Sequence, residues 1–424
     1  MTTTKNNEHN KLNFSSEREQ SQACLNSAEH EKNQGRKVLN VPNLRFQEFE
    51  GEWRRSKFKK VITLQRGSSP RPIIKYITTS TDGVNWIKIG DMPHFGRIVT
   101  STEEKITREG AKKSRLVKKG DLILSNSMSY GLPYIMGVDG YIHDGWFVLK
   151  DFEDTFDKDY LCNLLISSAI QNQYKRLAAG GVVQNISSDL VNSVSVSIPL
   201  MEEQKKISSL LNLIDDRITT QNKIIDKLQS LIKGIVDCTI LRKEKNAIVG
   251  DVCSISEQIR AEANIDDIIT VRLHGNGVCK SSAEYLQLGA TQYYRRRAGQ
   301  LIYGKQNFHN GAIGIVPISL DKGITSKDIP SFDIDEMKCN SVYLLAQLQS
   351  PQYYKPAEAL TTGTGSKRLK EETFLKMPIV LPNKREQDNI AVLIHRASMN
   401  LDHAKRLLEL LSIQKQFLLR QMFI

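Results

Sequence analysis

The sequence predicts an α+β chain: two repeated modules of mixed α/β structure separated by two long paired antiparallel helices that form a coiled-coil spacer. Three observations carry this. The chain repeats itself at an offset of 183 residues, each copy closes with a heptad pattern, and short apolar runs bounded by glycine fill the modules between. The offset places Gly180 on Gly363, Ile186 on Leu369, Pro199 on Pro382, Glu203-Gln204 on Glu386-Gln387 and Ile207 on Ile390 without a gap. Upstream the match is looser: Tyr160-Leu161 falls on Tyr343-Leu344, Lys119-Gly120-Asp121-Leu122-Ile123 resembles Ala298-Gly299-Gln300-Leu301-Ile302, and Phe58 to Val61 resembles Val249 to Val252.

Taken in order, residues 1–40 hold nine apolar side chains among Asn, Gln, Ser, Glu and Lys, too few to offset the entropy of ordering, so they are expected to form a disordered tail. The first module, 41–198, opens with Leu44, Phe46, Phe49 and Trp53. Within it Trp86-Ile87-Lys88-Ile89, closed by Gly90, and Asp121-Leu122-Ile123-Leu124, opened by Gly120, read as strands. A first long helix occupies 199–245. Ile207, Leu211, Ile214, Ile218, Ile225, Leu228, Ile232 and Ile235 recur at spacings of four and three, broken by Gln221. The second module covers 246–381, and the second long helix, 382–424, repeats the seam with Ile390, Ile394, Ala397, Leu401, Ala404, Leu408, Leu411, Leu418 and Met422, broken by Lys415. Pro199 and Pro382 mark the helix starts, because proline is excluded from a helix interior. Gln221 and Lys415, polar at seam positions, are expected to fix register. At about 1.5 Å per residue, Glu202 to Leu241 gives a rod of roughly 60 Å.

Composition narrows the function. With 40% hydrophobic residues, a mean hydropathy of −0.36 and no apolar run near the ~18 residues that span a bilayer, a soluble protein with no membrane partner is expected. The six cysteines are scattered without a C-x-x-C pair, which points to a reducing, cytoplasmic setting and against structural zinc. The net charge of +12 favours a polyanionic partner. It is uneven: residues 51–150 carry 18 Lys+Arg against nine Asp+Glu, whereas 246–350 carry ten against 11. The second module would therefore depend on local patches such as Arg295-Arg296-Arg297.

No phosphate loop, dinucleotide fingerprint, H-E-x-x-H or G-x-S-x-G elbow is present, the eight histidines are isolated, and no metal site or catalytic residue is expected. The enzyme alternative is a magnesium nuclease built on Asp321, Glu336 and Lys338. The interaction alternative is a coiled-coil scaffold whose modules bind protein. Two heads on a rod suit a ligand that itself repeats, and duplex DNA offers equivalent groove faces about 34 Å apart. The loops fitted to read it follow strands: Ser125, Asn126, Ser127 and Tyr130 in the first module, and Lys305, Gln306, Asn307, His309 and Asn310 in the second. Amides pair bidentately with adenine and Lys or Arg with guanine, although an ordinary polar turn has the same composition. Gly180 to Asn185 and Gly363 to Arg368 form a second pair, whose glycines permit close backbone approach and which contributes Gln184, Asn185, Ser366, Lys367 and Arg368. Lys112 and Lys113, with Arg295 and Arg296, complete the basic candidates.

These residues together resemble the specificity subunit of type I restriction-modification enzymes, over about residues 41 to 424. The resemblance rests on Pro42-Asn43-Leu44-Arg45-Phe46 through Gly51-Glu52-Trp53, on Arg66-Gly67-Ser68-Ser69-Pro70, and on the twice-used Pro-x-x-x-Glu-Gln at the start of a long helix. It implies two target-recognition domains, each reading half of an asymmetric bipartite DNA site, with the paired helices setting the unread spacer. It adds Arg66 and Ser68 to the DNA-binding candidates. It implies as partners two modification subunits, which carry S-adenosylmethionine and methylate adenine, and restriction subunits using ATP and Mg, with no cofactor held by this chain. Lack of the [DNS]-P-P-[YFW] motif agrees with a non-catalytic recognition subunit. Glu203, Gln204, Glu386 and Gln387 become partner-binding or helix-start residues, and first-turn carboxylates complementing the helix dipole would look the same. Two features depart from the family: Phe58-Lys59-Lys60-Val61 stands where a Leu-Gly-acid sequence is common, and the second module has Ile255-Ser256-Glu257-Gln258 in place of an Arg66-to-Pro70 counterpart.

Overall fold

The structure is a computed structural model that describes residues 39–93, 95–126, 131–178, 186–281, 291–363 and 367–424. The expected tail, but for its last two positions, lies outside the described residues, as do Ser127, Tyr130, Gln184, Asn185 and Ser366. The chain forms two compact units, one comprising residues through Asp215 with Gln414–Ile424, the other Asp216–Ile413.

In the first unit, two five-stranded sheets carry the candidate loops. One runs Ile77–Thr78, Glu104–Ile106, Val84–Ile87, Gly140–Ile142, Arg115–Val117; the other runs Thr63–Arg66, Trp146–Lys150, Leu122–Ser125, Pro133–Met136, Ile98–Val99. Ile87, Val99, Val117, Ile123, Met136, Ile142, Trp146 and Val148 pack as one core. The strand expected at 86–89 instead ends at Ile87, because the Asp91 carboxylate accepts the Lys88 N–H at 2.7 Å and turns residues 89–91 into a 3₁₀ turn. Of the aromatic burst at the module's start, only Trp53 is buried. Strand Arg54–Lys57 pairs antiparallel with Ser195–Ile198, closing the unit where the first long helix begins.

The second unit is built from Cys253–Ile255, Ser331–Ile334, Leu301–Tyr303 and Ile313–Ile315 in that sheet order, a three-stranded sheet, and two strand pairs. Tyr303, Phe308, Phe332 and Phe374 cluster at its centre, with the Tyr303 and Phe374 rings 4.7 Å apart. A first-unit contact has its counterpart here. Phe58 N–H donates to the Val194 carbonyl at 2.9 Å, and Val249 N–H donates to Met377 at 3.0 Å. Phe58 and Val249 are both fully buried and both open a 3₁₀ turn.

The long helices span Met201–Val236, continued by a π turn Asp237–Leu241, and Lys384–Gln421. Each starts two residues after its proline. Ile207, Leu211, Ile214 and Ile225 are buried on the first, with Ile218 and Leu228 half-buried; Ile390, Ile394, Leu411 and Leu418 are buried on the second, with Leu401 and Leu408 half-buried. In the second unit the Gln221 amide donates to the Ala404 carbonyl at 3.0 Å, so this buried polar group is satisfied across helices. In the first, Asp215 accepts from Lys415 and, at 2.6 Å, from Arg97. Among the described residues no helix is long and apolar enough to cross a membrane.

Candidate nucleic-acid interface

In the first unit the residue after a central strand becomes a junction. Asn126 N–H donates to the Gly145 carbonyl at 3.0 Å, its own carbonyl accepts from Ile186 N–H at 2.7 Å, and its side-chain amide donates to the Asp144 carbonyl at 2.8 Å. Three chain segments distant in sequence thus meet at Asn126. Arg66, at the end of its strand, donates from Nε to the same Asp144 carbonyl at 3.2 Å. The Asp144 carboxylate accepts the Ser69 hydroxyl at 2.7 Å and Arg71 Nη2 at 3.3 Å, and the Ser69 bond chiefly holds this carboxyl below the ordinary carboxylate range. Arg115 donates to the Arg66 carbonyl at 3.1 Å. Gly67 is required by contact: a Cβ there would lie 1.9 Å from the His143 carbonyl oxygen. His143 Nδ1 accepts the Gly145 N–H at 2.8 Å, and burial pushes this imidazole below its usual value against the opposing pull of Asp144.

The second unit has the same junction. Lys305 N–H donates to the Asp328 carbonyl at 2.9 Å, and the Lys305 carbonyl accepts from Leu369 N–H at 2.9 Å. The Asp328 carboxylate takes Arg368 Nη2 at 3.2 Å, and exposed Lys367 pairs with Glu358 at 3.3 Å. Lys305 Nζ is held by Glu371 at 2.7 Å, which withdraws most of that cation from solvent. Gln306 and Asn307 are exposed, while Asn307 also accepts from the Asn310 side chain at 3.3 Å. His309 is half-buried, with its Nδ1 buried and unbonded.

The sequence candidates therefore divide. Arg66 and Asn126 meet at the Asp144 carbonyl in one unit, and Lys305 and Arg368 meet at Asp328 in the other, with Asn307 and Asn310 on the Lys305 loop; Ser68 bonds through its N–H to the Ile142 carbonyl at 3.3 Å and Lys367 to Glu358. Lys112 and Lys113 lie apart at the end of a short helix, where Lys113 donates to the Tyr76 hydroxyl at 2.6 Å. Arg295 is exposed at its strand end.

Some assignments are corrected by burial. Arg296 is fully buried, and its guanidinium donates to Thr325 Oγ1, Gln258 Oε1, Ser331 Oγ and the Ile329 carbonyl at 2.7 to 3.2 Å. Arg296 is an internal strut that DNA cannot reach, and desolvation brings its pKa down to about 10. Ser125 is fully buried, with its hydroxyl accepting from Leu132 N–H at 3.0 Å, so it shapes the loop rather than facing outward. Glu203, Gln204 and Gln387 are buried too, which leaves the helix-start role in place of a partner contact. Gln204 accepts Asp157 N–H and donates to the Thr155 and Pro199 carbonyls; Gln387 accepts Asn340 N–H and donates to Lys338 and Pro382, the same bonds one repeat on. Glu203 takes both Arg45 Nε and Nη2 at 2.8 Å, whereas half-buried Glu386 pairs with Lys243.

Asp144, Ser69, Arg71, Arg115 and Asp328 were missed by sequence reasoning. An acid is an unlikely-looking choice for a polyanion site when read alone, and only the fold brings it beside the arginines. The residues of the nuclease alternative are engaged separately: Asp321 accepts Ala298 N–H at 2.9 Å, Glu336 accepts Ser341 N–H at 3.4 Å, and Lys338 pairs with Asp335 at 3.2 Å. Among the described residues no three metal-ligating side chains cluster.

Fold and site thus define a two-unit chain of mixed helices and sheets with one polar loop junction per unit. Residues 50–230 match the family model of the type I restriction modification DNA specificity domain, and the chain is similar to curated type I specificity subunits. It is 25% identical over 203 residues to the MjaVIII specificity subunit of Methanocaldococcus jannaschii, covering 45% of this chain and 46% of that one. To the putative specificity subunit S.HindORF215P of Haemophilus influenzae it is 28% identical over 166 residues, covering 38% and 40%. The matches therefore span under half the length of these relatives. The crystal structure of a type I S subunit from M. genitalium shares the fold, with a TM-score of 0.59 at 12% identity over 91% of this chain and 99% of that one.

Proposed function

We propose that this chain is the non-catalytic, sequence-reading subunit of a type I restriction-modification complex, acting in the cytoplasm. Each unit reads one half of an asymmetric bipartite DNA site, and the two long helices pair antiparallel to set the unread spacer. The observation that carries this reading is the recurrence of one loop junction in both units, at Asn126 beside Arg66 and at Lys305 beside Arg368. A scaffold would have no reason to keep that junction while changing its side chains, whereas two half-sites of different sequence require it. Gln221 bonding to Ala404, one repeat away, and Lys415 reaching Asp215 support the antiparallel sense.

Modification subunits, carrying S-adenosylmethionine, would dock on the helices; restriction subunits would bring ATP and Mg. Leu407, Leu410, Ile413 and Phe417 are exposed along the second long helix, apolar surface suited to such docking. The test is methylome sequencing of a host expressing this chain with its cognate modification subunit, against the same host without the chain. Adenine methylation at one new bipartite motif is expected. No new motif from an assembled complex supplied with methyl donor would overturn the reading.

A further inference from the structure

Away from the loop junction, the first unit holds an open cleft of about 1030 Å³ between the strand pair Arg54–Lys57/Ser195–Ile198 and one face of the helix Ser168–Ala178. Four cations line it, Arg55, Lys57, Lys60 and Arg176, together with serines, amides and the Phe423-Ile424 segment, and no Asp or Glu side chain does among the described residues. All four are exposed. Lys57 Nζ donates to the Ser193 carbonyl and to Ser195 Oγ, both at 2.9 Å, which fixes the ammonium in place and leaves its third N–H free. Arg55 is braced from Nε by the Asn40 side chain at 2.7 Å, and Arg176 from Nε by the Asn172 carbonyl at 3.3 Å, so in both the outer guanidinium nitrogens remain available. Lys60 makes no hydrogen bond or ion pair among the described residues.

We propose that this cleft seats the sugar-phosphate backbone of DNA beside the half-site read by the first unit, giving sequence-independent grip. The inference rests on the proposed function and deepens it. Cations mixed with serine hydroxyls and amides are the donor set that phosphate oxygens take, and they carry no base information. The cleft's helix is also near the reading loops in sequence: it ends at Ala178, and Ile186, eight residues on, donates its N–H to the Asn126 carbonyl at 2.7 Å.

The experiment measures binding of a fluorescein-labelled duplex by the chain assembled with its modification subunits, over a series of KCl concentrations. Each phosphate contact contributes roughly 0.9 to the slope of log K against log salt. Lys57→Ala/Lys60→Ala/Arg176→Ala is expected to lower the slope by about 2 to 3 and to weaken binding at low salt at least tenfold, with the methylated motif unchanged. The single variant Lys60→Ala, which breaks no internal bond, is expected to lower it by about 1 and keeps the test independent of folding. An unchanged slope in both variants, with steep salt dependence in the parent, overturns the cleft assignment alone. Absence of salt-dependent binding by the parent overturns the underlying function. Loss of modification-subunit binding with the DNA slope intact would make the occupant an acidic protein surface and also overturn the assignment.

Discussion

Replacing Arg45 by methionine removes two of the three donors that surround the Glu203 carboxylate. Both Arg45 bonds are 2.8 Å long, Trp53 Nε1 adds a third at 3.3 Å, and the Glu203 side chain is 0% exposed. Hydrogen bonding to Glu203 is also what raises the pKa of Arg45, so the guanidinium is committed to this partner. With Arg45 gone, a buried charge keeps one neutral donor, and breaking such a pair costs about 3–5 kcal/mol. For a unit of this size that is a drop in melting midpoint of roughly 6–20 °C. The control is the same position one repeat on. Glu386 pairs with Lys243, but both side chains are about 40% exposed, so Lys243→Met is expected to cost about 0–1 kcal/mol. Urea unfolding of the two variants, with tryptophan fluorescence for the first unit and circular dichroism for the second, measures both. Equal losses would refute the argument that burial, rather than sequence position in the repeat, sets the energy of this carboxylate.

Asp144→Asn keeps the backbone carbonyl that holds Arg66 and Asn126 but weakens the grip on Ser69 and Arg71; non-specific DNA affinity should rise roughly twofold to fivefold while the methylated motif broadens, by anisotropy and methylome sequencing. An unchanged motif and affinity would remove Asp144 from the interface. For His143 the folded state disfavours the charged ring, so from about pH 6.5 down to its lowered value the unfolded chain binds more protons and stability falls with pH. Melting from pH 8 to 5 should show this loss, reduced in His143→Gln; identical profiles would dismiss it. Arg296→Met should cost the second unit about 3 kcal/mol, because four acceptors lose their donor, yet leave the salt slope of DNA binding unaltered. A slope reduced by about 1 in a folded variant would restore Arg296 as a phosphate contact.

Sequence alone determined the α+β composition, the long-helix starts at Pro199 and Pro382 and the apolar seam, because each depends on residues near one another in the chain. Strand, turn and glycine signals likewise marked the loops at Asn126 and Lys305 as candidates, since those signals are local. What the third dimension decided is which charges face water. Arg295, Arg296 and Arg297 are consecutive and chemically alike, yet Arg296 alone is buried, because alternate side chains leave an extended backbone on opposite faces and Thr325 and Ser331 wait on the inner one. Glu203 and Glu386 match in the repeat but differ in burial, because Arg45, 158 residues from Glu203, reaches it through the fold. Asp144 joins the candidate site by the same means: its neighbours Arg66, Ser69 and Arg71 are distant in the chain, and strand pairing between Thr63–Arg66 and Trp146–Lys150 sets them side by side.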